Sequence, residues 1–222
     1  MNSDTKQLIK WLIIGLIIIG GFIAMIFAGG GNGGSGGTAS EVKPDEWIKG
    51  DIASTVTLIE YSDIQCPACK AREPFIKDIL NEFGSHMRFV YRHFPLIGVH
   101  DKAQISAQAT EAAGLQGKFW EMHDLLFERQ QTWSLLGEND AKNTFISYAE
   151  ELGLDKTKFE NDLESDAAEN FVNEDAASGN AARVKSTPTF FLNGQRITPQ
   201  DYDEFRQLIR DAIEAASAVP AN

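Results

Sequence analysis

An α/β domain is predicted for most of this chain, on three observations. Val56-Thr57-Leu58-Ile59-Glu60-Tyr61 and Met87-Arg88-Phe89-Val90-Tyr91-Arg92 are β-rich, mostly apolar runs on either side of a helix-length segment, a βαβ pattern whose strands should be parallel. From about Asp101 to Arg183 the chain is helical in character, with apolar residues at helical spacing. It then returns to strand, because Pro188-Thr189-Phe190-Phe191-Leu192, Asn193-Gly194 and Gln195-Arg196-Ile197 read as a hairpin whose Asn-Gly pair suits the positive φ values of a type I′ turn.

Taken in order, residues 1–10 carry Lys6 and Lys10, and Trp11 to Ala28 is an uncharged run of mainly Ile, Leu, Gly, Phe and Ala. At about 1.5 Å per residue its length roughly matches a bilayer core, so 11–28 is predicted to be one transmembrane helix, an uncleaved signal anchor. A cleaved secretory signal is the competing reading, and Ala28-Gly29-Gly30 is its small-x-small site. No Lys or Arg follows until Lys43, so the positive-inside rule leaves the N-terminus cytoplasmic and the rest extracytoplasmic. Residues 29–40 are a Gly-rich tether with a reach on the order of 20 Å.

Residues 41–222 suffice for one domain with a substantial core. The chain carries 32 acidic and 20 basic residues, a net charge of −12, and only Asp4, Lys6 and Lys10 precede the apolar span. That acidic surface suits solubility and argues against nucleic acid as a partner. Within the domain, the strand ending at Tyr61 leads to a helix from the Cys66 motif to about Phe83, with Pro74 as a kink and Gly84 as its stop. In the helical section Phe119, Met122, Leu126, Phe127, Phe145, Tyr148, Leu152 and Phe159 are predicted core, punctuated by Gly114, Gly117, Gly137 and Gly153. A last helix is expected from about Pro199 to Ala216, with Thr198 as N-cap.

Both cysteines of the chain lie in Cys66-Pro67-Ala68-Cys69, between the predicted strand and helix. With Cys66 as N-cap and Pro67 at N1, the unpaired N–H groups and the helix dipole favour a thiolate on Cys66. Cys69 lies one turn on, where it can close a disulfide or resolve a mixed one. A dithiol redox centre is the leading reading. The alternatives are a zinc half-site, a structural disulfide or a copper-carrying pair, although His86, His93, His100 and His123 show no tight ligand pair and no Met-rich run is present. No metal is assigned.

Val56 to Cys69, Tyr91-Arg92-His93-Phe94-Pro95-Leu96, Gly117-Lys118-Phe119-Trp120-Glu121-Met122-His123 and Ser186-Thr187-Pro188-Thr189-Phe190-Phe191-Leu192-Asn193-Gly194 together make the chain resemble the thioredoxin superfamily. The helical insertion, about residues 101–183, makes it similar to the DsbA-like branch. The resemblance implies that Cys66 is the exposed nucleophile, Cys69 the resolving cysteine, Pro188 the cis-proline beside the disulfide and Thr187 the residue whose backbone pairs with a substrate strand. It places Glu60 at the family's buried acid, where a raised pKa would let it exchange a proton with Cys69; the alternative is that Glu60 points to solvent. Asp63 is a weaker candidate, read as a turn residue.

Pro67 and Ala68 are the redox-tuning positions. Ala68 stands where the best-known oxidase motif has histidine, and it cannot lend positive charge to the thiolate. The resemblance implies a membrane-tethered, extracytoplasmic thiol-disulfide oxidoreductase acting on reduced exported proteins, with no bound cofactor and with a quinone-linked membrane reoxidase as partner. A reductase or isomerase is the alternative within the class. A tethered copper-binding module or a non-catalytic binding domain would lie outside it.

Overall fold

The computed structural model describes Ala39 and residues 42–218. The predicted membrane span and, apart from Ala39, the tether lie outside the described residues. Among the described residues no helix is long and apolar enough to cross a membrane.

The elements run β1 (Trp47–Gly50), β2 (Thr57–Ser62), α1 (Pro67–Phe83), β3 (Arg88–His93), α2 (Ala103–Gly114), α3 (Phe119–Glu128), α4 (Gln130–Trp133), α5 (Glu138–Glu151), α6 (Lys156–Leu163), α7 (Asp166–Ala181), β4 (Thr189–Leu192), β5 (Gln195–Ile197) and α8 (Tyr202–Ser217). The strands form one sheet in the order β1-β3-β2-β4-β5. β2 and β3 are parallel, as the βαβ pattern requires, with Glu60 opposite Tyr91, and the other pairs are antiparallel. This is a thioredoxin-like α/β fold with the helices α2 to α7 inserted between β3 and β4.

The sheet is covered on both faces, which is why β2 is buried along its whole length. Strand alternation sends Leu58 with Phe89, Tyr91, Phe190 and Leu192 into the larger core, where α1, α8 and the inserted helices α2 to α6 pack. Ile59 and Tyr61 go to the other face with Val90 and Phe191. Glu60 shares its face with Leu58, so period-2 geometry alone drives a carboxyl into the larger core beside Cys69. Each buried Leu or Ile here contributes about 1.5–3 kcal/mol, which is ample to hold one acid under that surface.

The hairpin turn has φ of 49° at Asn193 and 80° at Gly194, the pair of positive values expected of it. The two predicted strands of the βαβ unit each lie one residue further along than their sequence boundaries. β1 was not predicted at all. It adds to the edge of the sheet beside β3, where Trp47 stacks on Phe119 at 4.3 Å and donates Nε1–H to Glu111. Gly114 is required below it, because a Cβ there would fall 2.4 Å from the Trp47 ring.

The last helix corrects the expectation for its start. Asp201, not Thr198, is the N-cap, accepting from the Glu204 N–H at 2.8 Å, while Glu204 Oε2 accepts from the Gln200 N–H at 2.7 Å. That reciprocal pairing resembles a capping box and outweighs the preference for Pro199 at N1.

Candidate functional site

Cys66 is the N-cap of α1 with Pro67 in the first turn, so the helix begins inside the motif. Pro67 and Ala68 are exposed, whereas Cys66 retains only 7% of its surface and Cys69 none. The expected exposed nucleophile is thus nearly covered. Its Sγ lies 3.6 Å from the Thr187 carbonyl oxygen, and the Thr187–Pro188 peptide is cis. Both cysteines are free thiols.

The two thiols have opposite acidities. A hydrogen bond from the Cys69 thiol, helped by Thr187 and the N–H groups of Cys69 and Ala68, outweighs burial and lowers Cys66 from 9.0 to about 5. Burial, reinforced by donation to Cys66 and by the charge of Glu60, pushes Cys69 far above its ordinary value. The Asp63 N–H approaches the Cys69 sulfur at 3.5 Å.

Glu60 is fully buried, and neither carboxyl oxygen makes a hydrogen bond of normal geometry among the described residues. Burial, then the charge of Glu73, raises it from 4.5 to about 8. A protonated carboxyl is therefore its ordinary state at neutral pH. Glu73 stands one turn beyond Cys69 on the buried face of α1 and is itself raised, chiefly by burial.

Asp63 proves to be more than a turn residue. It is buried, and its carboxylate accepts from the N–H groups of Gln65 and Leu96 and meets His100 Nδ1 at 2.7 Å, so one side chain joins the segment before the motif to the loop after β3. Gln130, which sequence reasoning missed, acts from the inserted helices. Its buried Nε2 donates to the carbonyls of Ile64 at 2.7 Å and Cys66 at 3.0 Å, fixing the approach to the motif. No local pattern betrays either residue, because their partners are backbone groups distant in sequence.

One histidine, His123, gains acidic neighbours that sequence spacing did not reveal. Glu73, His123 and Asp124 bring three potential ligand atoms within 4.8 Å of one another. Such a set could take a cation, but Lys77 and Lys49 already place ammonium groups 3.6 and 3.8 Å from Asp124, which opposes a second positive charge.

A polarised dithiol at a helix N-terminus, on a thioredoxin-like sheet and beside a cis-proline, defines the class to which the comparisons can be put. Residues 42–211 match the thioredoxin family, and the chain belongs to it. Over 156 residues the chain is 41% identical to the Na(+)/H(+) antiporter NhaA 1 of Salinispora arenicola, covering 70% of this chain and 23% of that protein. It is 38% identical over 150 residues to the Na(+)/H(+) antiporter NhaA of Herminiimonas arsenicoxydans, covering 68% of this chain and 22% of that one. The chain therefore spans less than a quarter of the length of these relatives, and ion exchange by the whole relatives is not transferred to it. Among solved structures, oxidised BdbD from Bacillus subtilis superimposes with a TM-score of 0.65 at 21% identity, covering 76% of this chain and 93% of that one. The alpha-DsbA1 protein of Wolbachia pipientis gives 0.69 at 18% identity, covering 82% and 98%. At these identities the likeness is one of fold.

Proposed function

We propose that this chain is an extracytoplasmic thiol-disulfide oxidoreductase, held at the cell membrane by residues 11–28, that donates a Cys66–Cys69 disulfide to reduced exported proteins. The observation that carries the reading is the placement of Cys66 at the N-cap of α1, its Sγ 3.6 Å from the Thr187 carbonyl oxygen, with Cys69 buried one turn on. A substrate thiolate attacks Cys66 Sγ, the Cys66–Cys69 bond breaks, and Cys69 departs with the electron pair and takes a proton from Glu60. The substrate's second thiolate then attacks its own sulfur in the mixed disulfide. Cys66 leaves as a stable thiolate, and the substrate disulfide has formed. Thr187 offers its backbone to the substrate strand, and Pro188 keeps that segment against the sulfur. A quinone-linked membrane oxidase reoxidises the dithiol, and no bound cofactor takes part.

The test uses Cys69→Ala and Cys66→Ala in cells. Cys69→Ala should accumulate mixed disulfides with exported proteins, since nothing remains to resolve them on the enzyme side. Cys66→Ala should accumulate none. Equal trapping by both, or equal alkylation of the two thiols across pH, would remove the assignment.

A reductase or isomerase is the second reading, favoured by Ala68, whose side chain brings no hydrogen bond or charge to the thiolate. A glutathione-buffered titration separates the two: an oxidase should lie well above about −270 mV, the thioredoxin value. A thioredoxin-like potential, with the pair reduced in cells, would favour the reductase.

A further inference from the structure

Glu60 poses a problem that the exchange chemistry does not solve. As a base for Cys69 it must be ionised, yet it is sealed from solvent and protonated at neutral pH, so its proton needs a way out. The surroundings of Glu60 show one direction in which acids and a base succeed one another to the surface. Glu73 on α1 acts on Glu60 electrostatically. Its Oε1 stands 4.0 Å from His123 Nε2 on α3, and that nitrogen has no hydrogen-bond partner among the described residues although the ring is buried. His123 Nδ1 meets Asp124 Oδ1 at 2.9 Å, and Asp124 keeps 36% of its side chain exposed. The cleft there is lined by Lys70, Glu73, Pro74, Lys77, Asp124 and Phe127, among others.

We propose that Glu73, His123 and Asp124 are a proton relay that connects Glu60, and through it Cys69, to solvent at this cleft. The inference rests on the oxidoreductase reading above and extends it to residues which do not touch the sulfurs. Asp124 is kept ionised against its partial burial by His123, Lys49 and Lys77, so it accepts from Nδ1–H and leaves Nε2 bare toward Glu73. The ring cannot easily turn away. Tyr91, Phe119, Trp120 and Phe127 surround it with centroid distances of 4.6, 6.0, 5.3 and 4.9 Å. The ionisable groups facing it are Glu73 from α1, Asp124 from its own helix and Tyr91 from β3, with Lys49 of β1 and Lys77 of α1 one step behind Asp124.

During closure of a Cys66 mixed disulfide, the S–H bond of Cys69 breaks, its proton passes to ionised Glu60, and the Cys69–Cys66 bond forms as the other sulfur leaves with the electron pair. Glu60 then discharges through Glu73 to His123 Nε2, and His123 gives up Nδ1–H to Asp124 and water. When the disulfide is spent on a substrate, Cys69 takes a proton back by the same route. The two half-reactions move the proton in opposite senses, so the original imidazole tautomer is restored without a ring flip.

The test mixes reduced, detergent-solubilised full-length protein with glutathione disulfide, quenches with acid, and follows formation of the Cys66–glutathione disulfide separately from its closure. His123→Gln and Asp124→Asn should form the mixed disulfide at the wild-type rate. They should close it at least about tenfold more slowly at neutral pH, with an altered pH profile. Asp124→Asn, at the cleft mouth, carries the test alone if His123→Gln does not fold. Closure with unchanged rate and pH profile would overturn the relay while leaving the oxidoreductase intact, and failure of the wild type to form or close the mixed disulfide would overturn both. Wild-type closure that collapses on chelation with EDTA would mark a bound cation in place of the relay and overturn it.

Discussion

The Cys66 thiolate should make the stability of the reduced protein depend on pH in a way that the oxidised protein does not share. With a folded pKa of about 5 against an ordinary 9.0, the unfolded chain binds a proton that the folded one lacks throughout that interval. Stability of the reduced form should therefore rise with pH by about 1.4 kcal/mol per unit, be fully present above the unfolded pKa, and be lost as pH falls through the folded one. At pH 7 the contribution is about 2.7 kcal/mol before screening, and solvent at the rim of the site brings the expectation to roughly 1.5–2.7 kcal/mol. Glu60 works in the opposite sense, since its carboxyl is raised to about 8. It is present in both redox forms and largely cancels in their difference.

Denaturant unfolding of matched reduced and oxidised protein from about pH 4 to 7 supplies that difference. It should grow by roughly 1.5–2.7 kcal/mol in favour of the reduced form, equivalent to about 30–60 mV toward a more oxidising disulfide. Cys66→Ser, measured against the reduced wild type, should lack the slope. A redox difference independent of pH would refute the placement of a stabilised thiolate at the start of α1.

Three further outcomes are expected. Gln130→Ala strands the buried carbonyls of Ile64 and Cys66 and should cost about 2–4 kcal/mol in chemical denaturation, while Gln130→Glu should not restore the lost donors. In the oxidised form Glu60→Gln should abolish a loss of stability of about 1.4 kcal/mol per pH unit between 4.5 and about 8, and in turnover it should slow attack of substrate thiolates on the Cys66–Cys69 disulfide, the step in which Cys69 takes a proton; an unchanged slope would mean that Glu60 does not titrate there. Protease added to intact cells or spheroplasts should digest the domain while the chain resists extraction by high salt, and protection would reverse the proposed orientation.

The parts of the fold legible in sequence are those specified by local pattern. β2 and β3 show as continuous β-rich runs because both faces of a central strand are buried, and Asn193-Gly194 announces its turn through the conformations those residues tolerate. Cys66-Pro67 marks the helix start for the same kind of reason. β1 escaped because four residues on an edge show no period, and its anchor, the stacking of Trp47 on Phe119, joins distant segments. The capping of α8 was legible in Asp201 and Glu204, three residues apart, but Thr198-Pro199 offered a competing start. The partners of Asp63, Gln130 and His123 were not legible in sequence, because each acquires its meaning from an element that arrives from elsewhere in the chain.

A second buried acid sets off what the proposed proton transfer by Glu60 accounts for. Asp175 on α7 is also raised by burial, to about 7, but its Oδ2 accepts the His93 N–H at 2.9 Å and so ties α7 to the end of β3. Removing that carboxylate would orphan a buried donor, an ordinary structural cost. Glu60 has no such hydrogen bond to lose, and in a purely structural role an apolar side chain of similar size would serve β2 better. The proton exchange with Cys69 proposed above would supply the missing reason. A carboxyl kept near neutrality can give a proton to a departing thiolate of high basicity and take one from the thiol that replaces it, which neither a fully ionised surface acid nor a leucine can do.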